Sequence, residues 1–212
     1  MRRTLLGPWV NGPRVFRCPQ ARHAAPRSAC NAGETLVFYC TNGSGVAGHD
    51  PYTALSLRPQ AAFGLRREES IKVRAALADR GDVFKLQASW TRGGKERDIP
   101  IATAAQRKLV DQVTRFAGTG SLIPAEMSYR DQLNPFKAQT ALAGIHRVHG
   151  LRHQYAQGRY ETLTGWKAPA AGGPGSKQLS ADQKIADRRA RMTISRELGH
   201  EREQITAVYV GR

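Results

Sequence analysis

From residue 51 onward, apolar and polar positions fall into readable periods. Residues 52–63 carry Leu55, Ala62 and Phe63 at helical spacing, and Gly64 then breaks the run before a new helix opens near Arg66. Residues 83–90 alternate, with Phe84, Leu86, Ala88 and Trp90 on one face, which predicts a half-buried strand. A turn at Thr91-Arg92-Gly93-Gly94 leads into a short return strand over 95–101, where Pro100 points to a sheet edge. Thr103 and Gln106 form a capping box ahead of the apolar stripe Leu109, Val110, Val113, Phe116 and Ala117, which stops at Gly118. A further helix is predicted from about Ser128 to Ala143, with Pro135 inside it. After a Gly/Pro-rich loop over 166–178, Ser180 and Gln183 cap a long helix through Leu198, and the stretch to Tyr209 reads as one more amphipathic helix. The expectation is an α+β domain, mostly helical, with a small antiparallel β-sheet.

Residues 1–50 lack such periods and are expected to form a poorly ordered segment rather than a domain, leaving 51–212 as the folded unit. Within the segment only residues 35–40 look like a strand. The glycines at 43, 45 and 48 fit a dinucleotide-binding spacing, but His49-Asp50-Pro51 interrupts where a helix should open, so a glycine loop is the reading. Cys18, Cys30 and Cys40 lack the paired spacing of a zinc site, and their odd number does not make a disulfide framework. The default setting is therefore reducing and cytoplasmic. No apolar run approaches the ~18 residues that span a bilayer.

Charge changes the picture more. Lys and Arg number 33 against 17 Asp and Glu, a formal net charge of +16, which calls for a polyanionic partner and above all nucleic acid. Arg92 and Arg97 on the hairpin, and Arg188, Arg189, Arg191 and Arg196 on the long helix, are candidate contacts to a DNA backbone; a merely solvated face reads the same way.

Several residues could do chemistry on a phosphate. Arg66 and Glu69, three apart on a helix, share a face, so the carboxylate can orient the guanidinium. Lys95 sits at or near the hairpin tip. His149, Arg152 and His153 share a helical face with no acid nearby in sequence, which suits an anion better than a metal ion. Tyr209 alone reads as an aromatic core residue. Its hydroxyl loses a proton only near pH ~10 and needs neighbours to become a nucleophile.

In order, Gly64-Leu65-Arg66-Arg67-Glu68-Glu69, Gly93-Gly94-Lys95-Glu96-Arg97-Asp98-Ile99-Pro100, the His149-to-His153 box, Leu198-Gly199-His200 and Tyr209 nine residues later resemble the catalytic domain of the tyrosine recombinase (phage integrase) family. The resemblance covers about residues 51–212 and implies a site-specific DNA recombinase working through a 3′-phosphotyrosine. It implies Tyr209 as nucleophile, Arg66 and Arg152 as phosphate clamps, Lys95 as general acid and His149 as acid/base. His200 would hold the phosphate or the tyrosine, and Glu69 would orient Arg66. It implies no cofactor and no metal, double-stranded attachment-site DNA as partner, and self-association on that DNA. The helical core-binding domain expected ahead of the catalytic one has no counterpart in residues 1–50, and the interval from Arg152 to His200 is long. The expectation is therefore a truncated integrase of a mobile element, with a non-catalytic DNA-binding remnant as the alternative.

Overall fold

A computed structural model of the protein describes residues 50–145 and 147–212. Residues 1–49 of the segment read as poorly ordered, with its cysteines and its glycine loop, lie outside the described residues, as does His146.

Helix α1 (Pro51–Phe63) starts where Asp50 accepts the backbone N–H groups of Tyr52 and Thr53 at 3.3 and 2.9 Å, with Pro51 in the first helical position. It ends at Gly64, whose φ of +61° lies in the left-handed region. A Cβ there would sit 2.5 Å from the Tyr155 ring and 2.9 Å from the Leu198 side chain, so only glycine fits. The chain then extends through Leu65 and Arg66 into α2 (Arg67–Lys72) and the single turn α3 (Ala75–Ala78).

Strands β1 (Val83–Leu86) and β2 (Arg97–Pro100) form a two-stranded antiparallel sheet with Phe84 opposite Ile99. The strand predicted over 83–90 is thus shorter than its alternation promised. After Leu86 the chain tightens into a 3₁₀ turn, Ala88–Trp90, which still buries Trp90.

Helix α4 (Ala104–Ala117) has the expected box: Thr103 Oγ1 accepts the Gln106 N–H at 3.1 Å, and the Gln106 carboxamide accepts the Thr103 N–H at 3.1 Å. Its predicted stripe buries Leu109, Val110 and Val113 but leaves Phe116 on the surface, edge-on against Tyr52. Helix α5 (Tyr129–Leu142) absorbs Pro135 without ending. Helix α6 (Gly150–Thr164), α7 (Ala181–Glu197) and α8 (Glu203–Val210) complete the architecture, α7 capped by Ser180 as predicted.

Helix α6 is central: α1, α7 and α8 all pack on it. The main core joins Phe63, Leu65, Phe84, Leu86, Ile99, Val113, Tyr155, Ile194, Leu198 and Val210. A smaller cluster of Leu57, Ile71, Phe136, Ile145 and Leu151 lies on the α5 side. No helix among the described residues is long and apolar enough to cross a membrane.

Candidate active site

Four separate segments converge where α6 faces α8. Arg152, in the first turn of α6, is 1% exposed, and its guanidinium is aimed by backbone carbonyls rather than by an acid. Nη1 donates to the Gly64 carbonyl and Nη2 to the Leu198 carbonyl, while Nε lies 3.3 Å from the Tyr209 hydroxyl as its donor. The same guanidinium carbon stands 5.5 Å from the centre of the Tyr209 ring. Burial, and then the positive charge of Arg66, press Arg152 down to about 10, so it remains a cation at neutral pH.

Tyr209, on α8, is 6% exposed. Its hydroxyl is 3.5 Å from His200 Nε2, and His200 Nε2 is 3.4 Å from Arg152 Nη2. The His153 and His149 rings lie against the tyrosine, with centroids 4.8 and 6.0 Å away. Burial depresses all three histidines, helped by the neighbouring cations, and holds His200 at about 4. His200 is therefore a neutral imidazole at pH 7.

Beside this buried group opens a cleft lined by Arg66, Arg92, Lys95, Arg97, His200 and Arg202, with Glu201 the one acid among its described lining residues. His200 belongs to both, joining the cleft to the tyrosine. Arg66 is partly exposed and held from behind: Glu69 accepts its Nη1 at 2.8 Å and its backbone N–H at 2.7 Å. Lys95 projects from the hairpin loop and pairs with Glu201 at 2.5 Å, both groups largely exposed.

Two arginines read as DNA contacts are buried and engaged in internal bonds, Arg97 at the inner wall of the cleft. Arg97 grips Glu69 with two nitrogens, at 3.0 and 2.6 Å, and donates Nε to the Glu197 carbonyl at 2.9 Å. It packs so closely that a Cβ on Gly199 would lie 3.0 Å from its Nη1, which accounts for the glycine between Leu198 and His200. Arg191 is buried on α7 and paired with Asp187. Arg92, Arg188, Arg189 and Arg196 are exposed.

Burial alone would raise the Glu69 carboxyl, but the bonds from Arg97 and Arg66 reverse this and hold it at about 2. It is a permanent anion between two cations. Among the described residues no group of three or more His, Cys, Asp or Glu is arranged to hold a metal ion.

The family model described as Integrase matches residues 42–158, more than half of the chain. The chain belongs to the integrase family. Membership carries a role in DNA integration or recombination, and with it DNA binding. No curated protein matches this integrase. The match takes in Arg66, Lys95, His149 and Arg152. His200 and Tyr209 lie beyond it in the sequence, and the fold brings both onto Arg152.

Two contributors to the site carried no motif. Gln157, one turn beyond His153 on α6, donates to the Tyr209 carbonyl at 3.0 Å. The spacing 149, 153, 157 marks a single helical row, and that row was the available signal. Glu201 had none, because its partner Lys95 lies 106 residues away.

Proposed function

We propose that this integrase is a tyrosine-type recombinase that breaks and rejoins duplex DNA by transesterification. The contact that carries this reading is Arg152 Nε to the Tyr209 hydroxyl, with His200 Nε2 beside both. A phosphate-clamping cation, a neutral proton acceptor and a hydroxyl nucleophile then share one point bordering a basic cleft.

In the reaction, the Tyr209 oxygen attacks the scissile phosphorus and its proton passes to His200. The motif order had suggested His149 for that proton; the 3.5 Å contact favours His200. The bond from phosphorus to the 5′ oxygen breaks, and Lys95 protonates that oxygen as it leaves. The products are a 3′-phosphotyrosine and a free 5′-hydroxyl. The ester bond is conserved, so rejoining by another 5′-hydroxyl needs no outside energy. Arg66 and Arg152 counter the charge that gathers on the non-bridging oxygens. DNA entry requires two rearrangements: Lys95 exchanges Glu201 for the leaving oxygen, and the phosphate takes a share of the Arg152 donors.

A duplex nicked close to the scissile phosphate tests this, because the short 5′ product diffuses away and traps the adduct. A covalent protein–DNA complex mapping to Tyr209 is the expected result. Tyr209→Phe abolishes it and leaves DNA binding intact. Arg66→Ala lowers its rate ~100-fold or more by removing a transition-state donor. An adduct on another residue would overturn the mechanism. Binding without any adduct on an attachment-site duplex would point to a DNA-binding remnant.

A further inference from the structure

The residue proposed as nucleophile stands on a short helix with little strength of its own. Helix α8 has eight residues, and isolated helices below ~12–15 residues are marginal in water. The carbonyls of its last turn also lack partners within the helix. Two side chains from other helices meet the chain there, one on a last-turn carbonyl and one on the carbonyl of the C-cap residue Gly211. Gln157 Nε2, from α6, donates to the carbonyl of Tyr209 itself at 3.0 Å. Arg191 Nη1, from α7, donates to the Gly211 carbonyl at 2.8 Å.

Neither donor is free to wander. Arg191 is 5% exposed, and its Nε is held at 2.8 Å by Asp187, which also accepts the Tyr160 hydroxyl. The α7 backbone is tied to α8 a second time, through Thr206 Oγ1 donating to the Arg191 carbonyl at 3.1 Å. Gln157 rides on the helix that carries Arg152. One rigid element thus grips the tyrosine at both ends, the hydroxyl by Arg152 and the carbonyl by Gln157. A cation at a helix C-terminus also opposes the negative end of the helix dipole.

We propose that Gln157 and Arg191 are positioning residues that cap α8 from outside and fix the Tyr209 hydroxyl at Arg152. This rests on the reading of Tyr209 as the nucleophile. A misplacement of about 1 Å at a reacting centre costs on the order of 100-fold in rate, so the effect belongs to the chemical step and not to DNA affinity.

Gln157→Glu is the sharpest test, since it keeps the shape and removes the N–H donor. On the nicked duplex, the single-turnover rate of adduct formation is expected to fall ~10- to 100-fold at saturating DNA, with Kd unchanged. Hydrogen exchange, which needs no activity, is expected to quicken for the amides of Glu203–Val210 while those of Gly150–Thr164 keep their protection. Arg191→Met acts in the same direction, because it removes the donor to the Gly211 carbonyl. If that variant fails to fold, Gln157→Glu still decides. An unchanged adduct rate in Gln157→Glu, or faster exchange spread equally over α6 and α7, would overturn the proposal. If the unsubstituted chain forms no adduct, the nucleophile reading falls, and the exchange data alone still show whether these two side chains hold the helix.

Discussion

Glu69 is a carboxylate with no exposed surface, bonded to two guanidinium groups. Its folded pKa of about 2 lies below its ordinary 4.5, so the stability it contributes is complete above pH ~4.5 and drains away as pH falls toward 2. His200, depressed from 6.5 to about 4, acts with the same sign over a higher range: neutral in the fold, it is favoured to charge in the unfolded chain. Acid unfolding should therefore begin below pH ~6.5 and steepen below 4.5, and Glu69→Gln should blunt the lower branch of a stability–pH curve measured by urea denaturation. Gly64 makes a sharper test of packing. Gly64→Ala combines a left-handed φ with a Cβ inside the Tyr155 ring contact, and is expected to cost about 2–4 kcal/mol in the same assay. The Arg66–Glu69 pair was legible from its spacing. Its other half carries a signal of a different kind: Arg97 shares the inward face of β2 with Ile99, two residues on. Charge suggested DNA where period-two alternation pointed to the core. Arg191 repeats the lesson on α7, four residues after Asp187 and three before Ile194, all buried.

At the scale of elements, local chemistry was the dependable signal. The boxes read at Thr103 and Ser180 each open a helix, because a side-chain oxygen three residues from its N–H partner needs nothing beyond its own turn, and the structure adds a third at Ser128. The end of β1 depended instead on how the next residues pack, and a 3₁₀ turn with Trp90 inward serves the core as well as a longer strand would. The hairpin itself is short, four residues paired with four. What fastens it is Arg97, which joins β2 to α2 through Glu69 and to the end of α7 through the Glu197 carbonyl. Arg97→Ala would strand a buried carboxylate against Arg66 alone. The expected loss is about 3–5 kcal/mol by thermal or urea unfolding, well above that of Arg92→Ala on the exposed turn.

Across the molecule, the site exists only in the assembled fold. Gly64, Arg152, Leu198, His200 and Tyr209 come from four stretches of chain, and motif order names candidate residues without showing what each one touches. The excess of positive charge acts at the same scale. Each phosphate neutralised adds about 0.9 to the slope of log K against log salt, so affinity for duplex should drop steeply between low and physiological salt. A flat titration would mean that the basic surface does not face DNA. The fastening of β2 also sets a clock. Arg97 is locked two residues from Lys95, while the lysine and its partner Glu201 stand in solvent. In the proposed mechanism Lys95 would trade the carboxylate for the departing oxygen by rotating its own bonds, in picoseconds to nanoseconds, without the microsecond swing of a whole loop. On that proposal, thickening the solvent with glycerol should leave the rate of strand cleavage unchanged.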